Sequence, residues 1–260
     1  MYPNPDVQEI IETLVRQIKS VLADNLEGLY LKGSLALGDF NPETSDVDLL
    51  VITKELVSGE DFTRLAAMHE QIQRLPNRYT NDVELAYIPL HAILNFRPRR
   101  EYPALERGAG EKLKWKALGA NWVLEFWTVR ERGVRLFGPD PKGLIPPISK
   151  GEMVAATRQV LREDWLEWVN TWDNPDWRTH AGEMRFVVET MCRVLYTVAQ
   201  GELSSKPKAV RWAQETLQEP WRSLITQSQS WNAGGVLDKA TVAQVEAFVR
   251  WTAERLQDES

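Results

Sequence analysis

The spacing of apolar residues in the first half of the chain changes soon after its start. Over residues 7–23 the apolar positions recur at the period of an α-helix, which predicts one amphipathic helix. Its apolar side consists of Ile10, Ile11, Leu14, Val15, Ile18, Val21 and Leu22. Beyond it, short apolar runs predict β-strands at 26–32, 46–52 and 82–88, with a further helix at about 59–75.

The second half of the chain keeps the helical period almost throughout. Helices are predicted at about 150–172, 182–200, 206–217, 220–229 and 238–257. The connections between them are short, which favours antiparallel packing in a bundle. Residues 91–119, by contrast, show no clear period, and this segment could cross between domains.

A change from strands to helices indicates a domain boundary near the middle of the chain. A helix is predicted around 122–132 and a short extended segment ended by a turn at 134–140, before a proline-rich stretch at 141–147 that suits a linker. A chain of 260 residues is long enough for two modest domains, which we place at 1–149 and 150–260.

The composition is that of an ordinary globular protein. Apolar residues make up 43% of the chain and charged residues 26%, as in soluble proteins. No apolar run is long enough to span a bilayer, and no signal peptide is visible, so no membrane partner is expected. The single cysteine, Cys192, lies in an apolar helical stretch and is expected in the core, which fits a cytoplasmic setting.

The net charge of −6 argues against a nucleic-acid partner. A protein that acts on nucleic acid needs a basic track for the phosphate backbone. The small basic cluster of Arg97, Arg99 and Arg100 is interpreted as a solvated loop. An acidic balance suits a small cationic substrate better.

The strongest chemical signal lies between residues 33 and 49. Gly33-Ser34 ends the first predicted strand, and a strand-to-helix turn with free N–H groups is a natural phosphate site. Asp46 and Asp48 stand one residue apart on the next strand, so both carboxylates should point to the same face. An Asp-x-Asp pair alone is typical of a solvated turn. Its combination with the Gly-Ser turn favours a site for a nucleoside triphosphate and two Mg²⁺ ions.

This pattern resembles that of the DNA polymerase β-type nucleotidyltransferases. The resemblance rests on Gly33-Ser34, Gly38 and the run Ser45-Asp46-Val47-Asp48-Leu49, whose two aspartates match the metal-binding pair. It implies an α/β (α+β) N-terminal domain with a mixed sheet and flanking helices. Such enzymes usually add a third carboxylate from a neighbouring strand, and Glu84 is the candidate. Asp82 has the same parity on that strand and is the main competitor.

Motifs in the second half resemble those of the aminoglycoside adenylyltransferases that modify streptomycin and spectinomycin. They are Leu136-Phe137-Gly138-Pro139, Trp172-Asp173-Asn174-Pro175-Asp176-Trp177, Arg193-Val194-Leu195-Tyr196, Gly201, Lys206 and Arg211-Trp212-Ala213. In that family an all-α helical C-terminal domain closes a cleft over ATP and the drug. The resemblance implies transfer of AMP from ATP to a drug hydroxyl with release of pyrophosphate, and it makes Glu84 the catalytic base.

The same resemblance assigns binding roles in the second half. Arg193 and Lys206 match basic residues that reach the phosphates of ATP. Glu183 lies where the family has an acidic residue near both substrates, although that residue is Asp in the family. Trp172 and Asp176 match an aromatic and an acidic residue that favour streptomycin, the former only after a one-residue gap.

Physical alternatives stay open for several of these residues. Trp165 and Trp168 have the spacing of a buried helix stripe and are expected in the core, whereas Trp172 at the helix end could be core or substrate contact. Asp176 could simply cap a turn. Arg193 needs a partner in its apolar helix, either phosphate or Glu189, and Arg185 is a weaker candidate for the phosphate role.

Two other classes of function also stay open. The acceptor could be another small hydroxyl compound, such as a lincosamide or a metabolite, or a protein side chain. Alternatively, the chain could be a catalytically inactive domain that binds nucleotide or a partner. Retention of Gly33, Ser34, Asp46, Asp48 and Glu84 argues against an inactive domain. The protein is expected to act as a monomer.

Overall fold

The computed structural model describes residues 4–171 and 175–257, and the chain divides into two compact units, Met1–Ile148 and Ser149–Ser260. The sequence places the boundary after residue 149. The first unit contains the sheet and the second consists of helices, so the predicted fold class is confirmed.

The first unit is built on a mixed sheet. Its elements are α1 (Pro5–Leu22), β1 (Leu26–Leu31), α2 (Gly33–Leu37), β2 (Val47–Thr53), α3 (Gly59–Ile72), β3 (Val83–Pro89), α4 (Leu90–Leu94), β4 (Glu101–Leu105), β5 (Lys114–Ala117), α5 (Asn121–Arg132) and β6 (Val134–Phe137). Among the described residues the strands form a six-stranded sheet in the order β5-β4-β3-β2-β1-β6. β2 and β3 run parallel, and the other neighbouring strands run antiparallel.

The two faces of the sheet carry separate apolar cores. Every residue of β2 is buried, as expected for a strand covered on both faces. Leu49 and Val51 pack in the core that includes the apolar side of α1 and part of α3. Leu50 and Ile52 point the other way and share a core with α5. The alternation therefore directs the side chain of Asp48 to the α5 face of the sheet.

The segment at 91–119 does not connect domains. It forms α4, β4 and β5, and the two strands extend the sheet beyond β3. These strands are hard to recognise because β4 contains Pro103 and β5 is a short edge strand with mostly exposed side chains. The expectation that this segment crosses between domains is wrong.

The second unit is a helical bundle. Its elements are α6 (Lys150–Val160), a π-helical segment (Leu161–Trp165), α7 (Leu166–Thr171), α8 (Pro175–Thr179), α9 (Ala181–Gln200), α10 (Lys206–Thr216), α11 (Trp221–Ser228) and α12 (Lys239–Gln257). α9 is the central helix and packs against α6, α10, α11 and α12. Cys192 and Trp168 are buried in its core, as expected, whereas Trp165 is half-buried and packs against that core.

None of the helices in the described parts of the chain combines the length and apolar character needed to cross a membrane.

A buried histidine makes the stability of the first unit depend on pH. His69 is 2% exposed, and its Nε2 lies 2.8 Å from the hydroxyl of Tyr87. Burial lowers the pKa of His69 from 6.5 to about 4. As the pH falls, His69 is therefore protonated in the unfolded chain before it is protonated in the folded chain. Its contribution to the free energy of unfolding is fully present above pH 6.5 and is lost as the pH falls towards 4.

We expect the free energy of unfolding to fall by about 1.4 kcal/mol per pH unit through this group between those limits. His69→Gln removes the titration and can still hydrogen bond to Tyr87. Urea unfolding at several pH values should show a shallower pH dependence for this variant. His91→Gln, at an exposed position on α4, is the control. Equal pH dependence in wild type and His69→Gln would contradict the assignment.

Candidate active site

Parallel pairing of β2 and β3 brings acidic residues together. The register places Asp48 directly beside Glu84, and Asp46 immediately precedes β2. Each of these three carboxylates has an oxygen within 4.8 Å of an oxygen of the others. We call Asp46, Asp48 and Glu84 the carboxylate cluster. Asp82 is not part of this group of described residues, although its carbonyl oxygen accepts a hydrogen bond from Val47.

The Gly33-Ser34 turn lies against this cluster. Gly33 has a φ of +59°, and a Cβ at this position would lie 1.9 Å from Oδ2 of Asp48. Glycine is required here both for the backbone conformation and for the close approach. The backbone N–H of Lys32 donates to the carbonyl oxygen of Asp48 at 3.0 Å, which fixes the turn to β2.

Ser34 supplies an unused hydrogen-bonding group beside the turn. Its hydroxyl oxygen is buried and has no hydrogen-bond partner among the described residues. Buried polar groups are normally satisfied, so such a group indicates a ligand atom or an ordered water. The sequence predicted a phosphate contact at this residue, and the available hydroxyl fits that prediction.

Lys32 is a member of the site that the sequence analysis missed. Its side chain is 3% exposed, and its Nζ lies 3.2 Å from Asp48, 3.3 Å from Glu125 and 3.9 Å from Glu84. The same Nζ lies 5.6 Å from the centre of the Trp122 ring. Strand alternation alone could have predicted the direction of this side chain. Lys32 is two residues after Tyr30, which points to the α5 face, so the two side chains share that face. The pairing with Glu125 requires α5 to fold over the sheet, which no local pattern reveals.

The charges of these groups shift one another's pKa values. Burial raises the pKa of Glu84 to about 7, with Lys32 opposing and Asp48 reinforcing the rise. Burial and the neighbouring Asp48 raise the pKa of Asp46, against the effect of Arg107, whose Nη1 lies 3.5 Å away. Burial alone would lower the pKa of Lys32, but Asp48, Glu125 and Glu84 outweigh it and raise that pKa.

The donor set of the carboxylate cluster suits a hard divalent cation. Carboxylate oxygens are the ligands that Mg²⁺ prefers in proteins, together with phosphate oxygens of a substrate. Burial raises the pKa values of Asp46 and Glu84, and the neighbouring carboxylate of Asp48 adds to the rise, so a bound cation would favour the ionised form of both groups. The residues therefore fit a magnesium ion chemically.

The other predicted site residues belong to the second unit. Glu183 and Arg193 are half-buried on α9, and the helical period places both on the same side of that helix as Phe186. Lys206, the first residue of α10, has its Nζ 4.7 Å from the centre of the Phe186 ring. Lys206 thus lies close to the side of α9 that carries Phe186.

Two predicted substrate contacts cannot be placed by their side chains. Trp172 lies outside the described residues. Asp176 lies within α8, but its side chain is outside the description. Phosphate and Glu189 are the two partners considered for Arg193. Glu189 accepts a hydrogen bond from Nε of a different arginine, Arg185, at 2.8 Å. That ion pair occupies Arg185, which was the weaker candidate for a phosphate contact.

Comparison with protein families finds two models that match different parts of the chain. Residues 11–102 match the nucleotidyltransferase domain, which covers β1 to β3 and the carboxylate cluster. Residues 143–255 match the C-terminal domain of aminoglycoside adenylyltransferases, which covers nearly all of the helical unit. The order of the two matches along the chain agrees with the order of the two units.

Relatives that match over nearly the whole chain have low sequence identity to it. An aminoglycoside (3'') (9) adenylyltransferase of Escherichia coli is 25% identical, over 95% of this chain and 93% of its own length. A spectinomycin 9-adenylyltransferase of Campylobacter jejuni is 24% identical, over 92% of this chain and 90% of its own. The fold is similar to that of a spectinomycin adenyltransferase from Enterococcus crystallised with ATP and spectinomycin. Its TM-score is 0.73 and its identity 17%, over 96% of this chain and 99% of that one.

Two glycines with positive φ allow the close approach at Gly33 to be tested. Gly38 has a φ of +81°, but a Cβ there would meet nothing within 4 Å. Alanine at either position strains the backbone by about 1–2 kcal/mol. Only Gly33→Ala also collides with Asp48, which cannot move without weakening its ion pair with Lys32.

We therefore expect Gly33→Ala to lower the free energy of unfolding more than Gly38→Ala, by about 1 kcal/mol or more. Urea unfolding followed by tryptophan fluorescence measures both variants under one set of conditions. Equal losses in the two variants would show that Asp48 does not constrain position 33.

Proposed function

The chain belongs to the aminoglycoside adenylyltransferase family, and from that premise we propose that it transfers AMP from ATP to a hydroxyl of an antibiotic of the streptomycin or spectinomycin type. In this reaction the hydroxyl oxygen bonds to the α-phosphorus and the bond from that phosphorus to the pyrophosphate oxygen breaks. The hydroxyl proton is taken up by a base. The observation that carries the proposal is the carboxylate cluster beside Gly33-Ser34, in a chain that also matches the family's C-terminal domain.

Gly33 and Ser34 are proposed to hold the phosphates of ATP. The turn at Gly33 lies against Asp48 of the carboxylate cluster, and the buried Ser34 hydroxyl offers a donor that the described residues do not use. The family resemblance assigns Arg193 and Lys206 to the same phosphates and Glu183 to both substrates. These assignments stay proposals.

Glu84 is proposed as the base that accepts the hydroxyl proton. Its pKa of about 7 matches a group that must be ionised at neutral pH and still bind a proton during the reaction. Asp46 and Asp48, with Glu84, would hold two Mg²⁺ ions. When bound, Mg²⁺ supplies charge stabilisation for the triphosphate and the departing pyrophosphate. Lys32 keeps Asp48 and Glu84 in place on their neighbouring strands.

A polycationic acceptor needs carboxylates and flat apolar surfaces, and the helical unit carries both types of group. Glu183 lies half-buried on α9, and the resemblance adds Trp172 and Asp176. Trp168 is buried and stacks under the guanidinium of Arg178, at 5.5 Å from the ring centre, so it serves the core and not the acceptor. A cytoplasmic setting and a monomeric state are retained as expectations.

The base assignment is tested with two matched carboxylate variants. Glu84→Gln keeps the size of the side chain but cannot accept the proton, so turnover should fall by about 10²–10⁴-fold. ATP binding, measured by calorimetry, should persist because Gly33 and Ser34 are intact. Asp82→Asn removes the neighbouring carboxylate of the same parity and should retain activity. High turnover by Glu84→Gln would show that Glu84 is not the base. Loss of turnover in Asp82→Asn but not in Glu84→Gln would show the same.

The acceptor is tested by a screen in which purified protein, ATP and Mg²⁺ are offered streptomycin, spectinomycin or kanamycin. Pyrophosphate release is the readout. We expect release with streptomycin and spectinomycin and none with kanamycin, and none without Mg²⁺. Release with only a lincosamide or a protein acceptor would overturn the acceptor and retain nucleotidyl transfer. No release with any acceptor would favour a non-catalytic nucleotide-binding protein.

A further inference from the structure

We propose that Lys32 is a positioning residue that acts as a built-in cation of the carboxylate cluster, and that its charge sets how tightly the cluster binds a divalent cation before nucleotide arrives. The inference rests on the proposed function in one respect, the use of this cluster for a divalent cation. The role of Lys32 itself follows from contacts within the first unit.

The ammonium group of Lys32 lies against the carboxylate cluster. Lys32 is the last residue before the Gly33 turn, and its Nζ lies within ion-pair distance of two members of the cluster, Asp48 and Glu84. Its side chain is 3% exposed and that of Asp48 is 12% exposed, so solvent screens the interaction between these two groups only weakly. The group therefore lies where a cation bound to the cluster would feel its repulsion directly.

Two residues of α5 hold the side chain of Lys32 in place. Glu125 on α5 lies 3.3 Å from Nζ, and Trp122, one turn earlier on that helix, places its ring 5.6 Å away. A lysine so enclosed cannot swing into solvent when a metal ion enters. Glu125 thereby fixes the position of the charge and also offsets part of it.

Lys32 and Glu125 change the net charge around the cluster in opposite directions. With every group ionised, the cluster and Glu125 carry four negative charges and Lys32 and Arg107 carry two positive ones. Removing Lys32 leaves a larger negative excess, whereas removing Glu125 leaves a smaller one. Removing both restores the wild-type balance. If Lys32 and Glu125 formed only a structural ion pair, loss of either residue would loosen the site. The affinities for a cation would then not follow the net charge.

The experiment measures binding of Mn²⁺, as a spectroscopic substitute for Mg²⁺, to the full chain without nucleotide. Free Mn²⁺ is followed by electron paramagnetic resonance for wild type, Lys32→Met, Glu125→Gln and the double variant. We expect Lys32→Met to bind at least ~10-fold more tightly than wild type and Glu125→Gln at least ~10-fold more weakly. The double variant should bind as wild type does.

Folding is checked for every variant by near-ultraviolet circular dichroism, since Lys32→Met leaves the buried carboxylate of Asp48 without its ion-pair partner. Glu125→Gln keeps shape and hydrogen bonding, so its predicted weakening remains testable even if Lys32→Met does not fold. Weaker or unchanged binding by a folded Lys32→Met, or unchanged binding by Glu125→Gln, overturns the inference.

A second titration, with Mn²⁺ and ATP together, separates this inference from the proposed function. If all proteins bind Mn²⁺ with ATP but their affinities without ATP do not follow the charge balance, the inference fails and the proposed function stands. If no protein binds Mn²⁺ with or without ATP, both fail.

Discussion

The parallel pairing of β2 with β3 is the constraint on which the site depends. It places Asp48 level with Glu84 on adjacent strands, and the start of β2 adds Asp46. Ionising all the carboxylates at this separation costs free energy through their mutual repulsion unless positive charge is nearby. The fold meets that requirement in part with Lys32 and Arg107, while burial, reinforced by the neighbouring carboxylates, raises the pKa values of Glu84 and Asp46. The sheet therefore brings together carboxylates that suit a divalent cation.

The glycine turn and the acidic strand form one physical unit. The backbone of Lys32 is hydrogen-bonded to Asp48, and Gly33 lies so close to the same aspartate that no side chain fits between them. A group held by the turn is consequently brought to the carboxylates without any movement of a long loop. This arrangement explains why the two motifs occur at a short distance in the sequence and why neither is informative alone.

Local periodicity predicted the strands that hold the acidic residues, because alternation on a strand determines which side chains share a face. The grouping of Asp46, Asp48 and Glu84 followed from that rule, while their roles remain predictions. The strands β4 and β5 were missed because Pro103 and exposed edge residues obscure their pattern. Lys32 and Glu125 were missed for a different reason: their contact is created by the packing of α5 on the sheet, and burial of a lysine cannot be read from its neighbours in sequence.

The bond between Lys32 and Glu125 has a consequence for how this protein can diverge. The two residues lie at a strand end and on a helix that are far apart along the chain, yet the charge of each partly offsets that of the other. A change at one position creates selection for a change at the other. Descendants of this chain should therefore keep the pair or lose it together, and a chimera joined between β3 and α5 would inherit one residue without its counterpart.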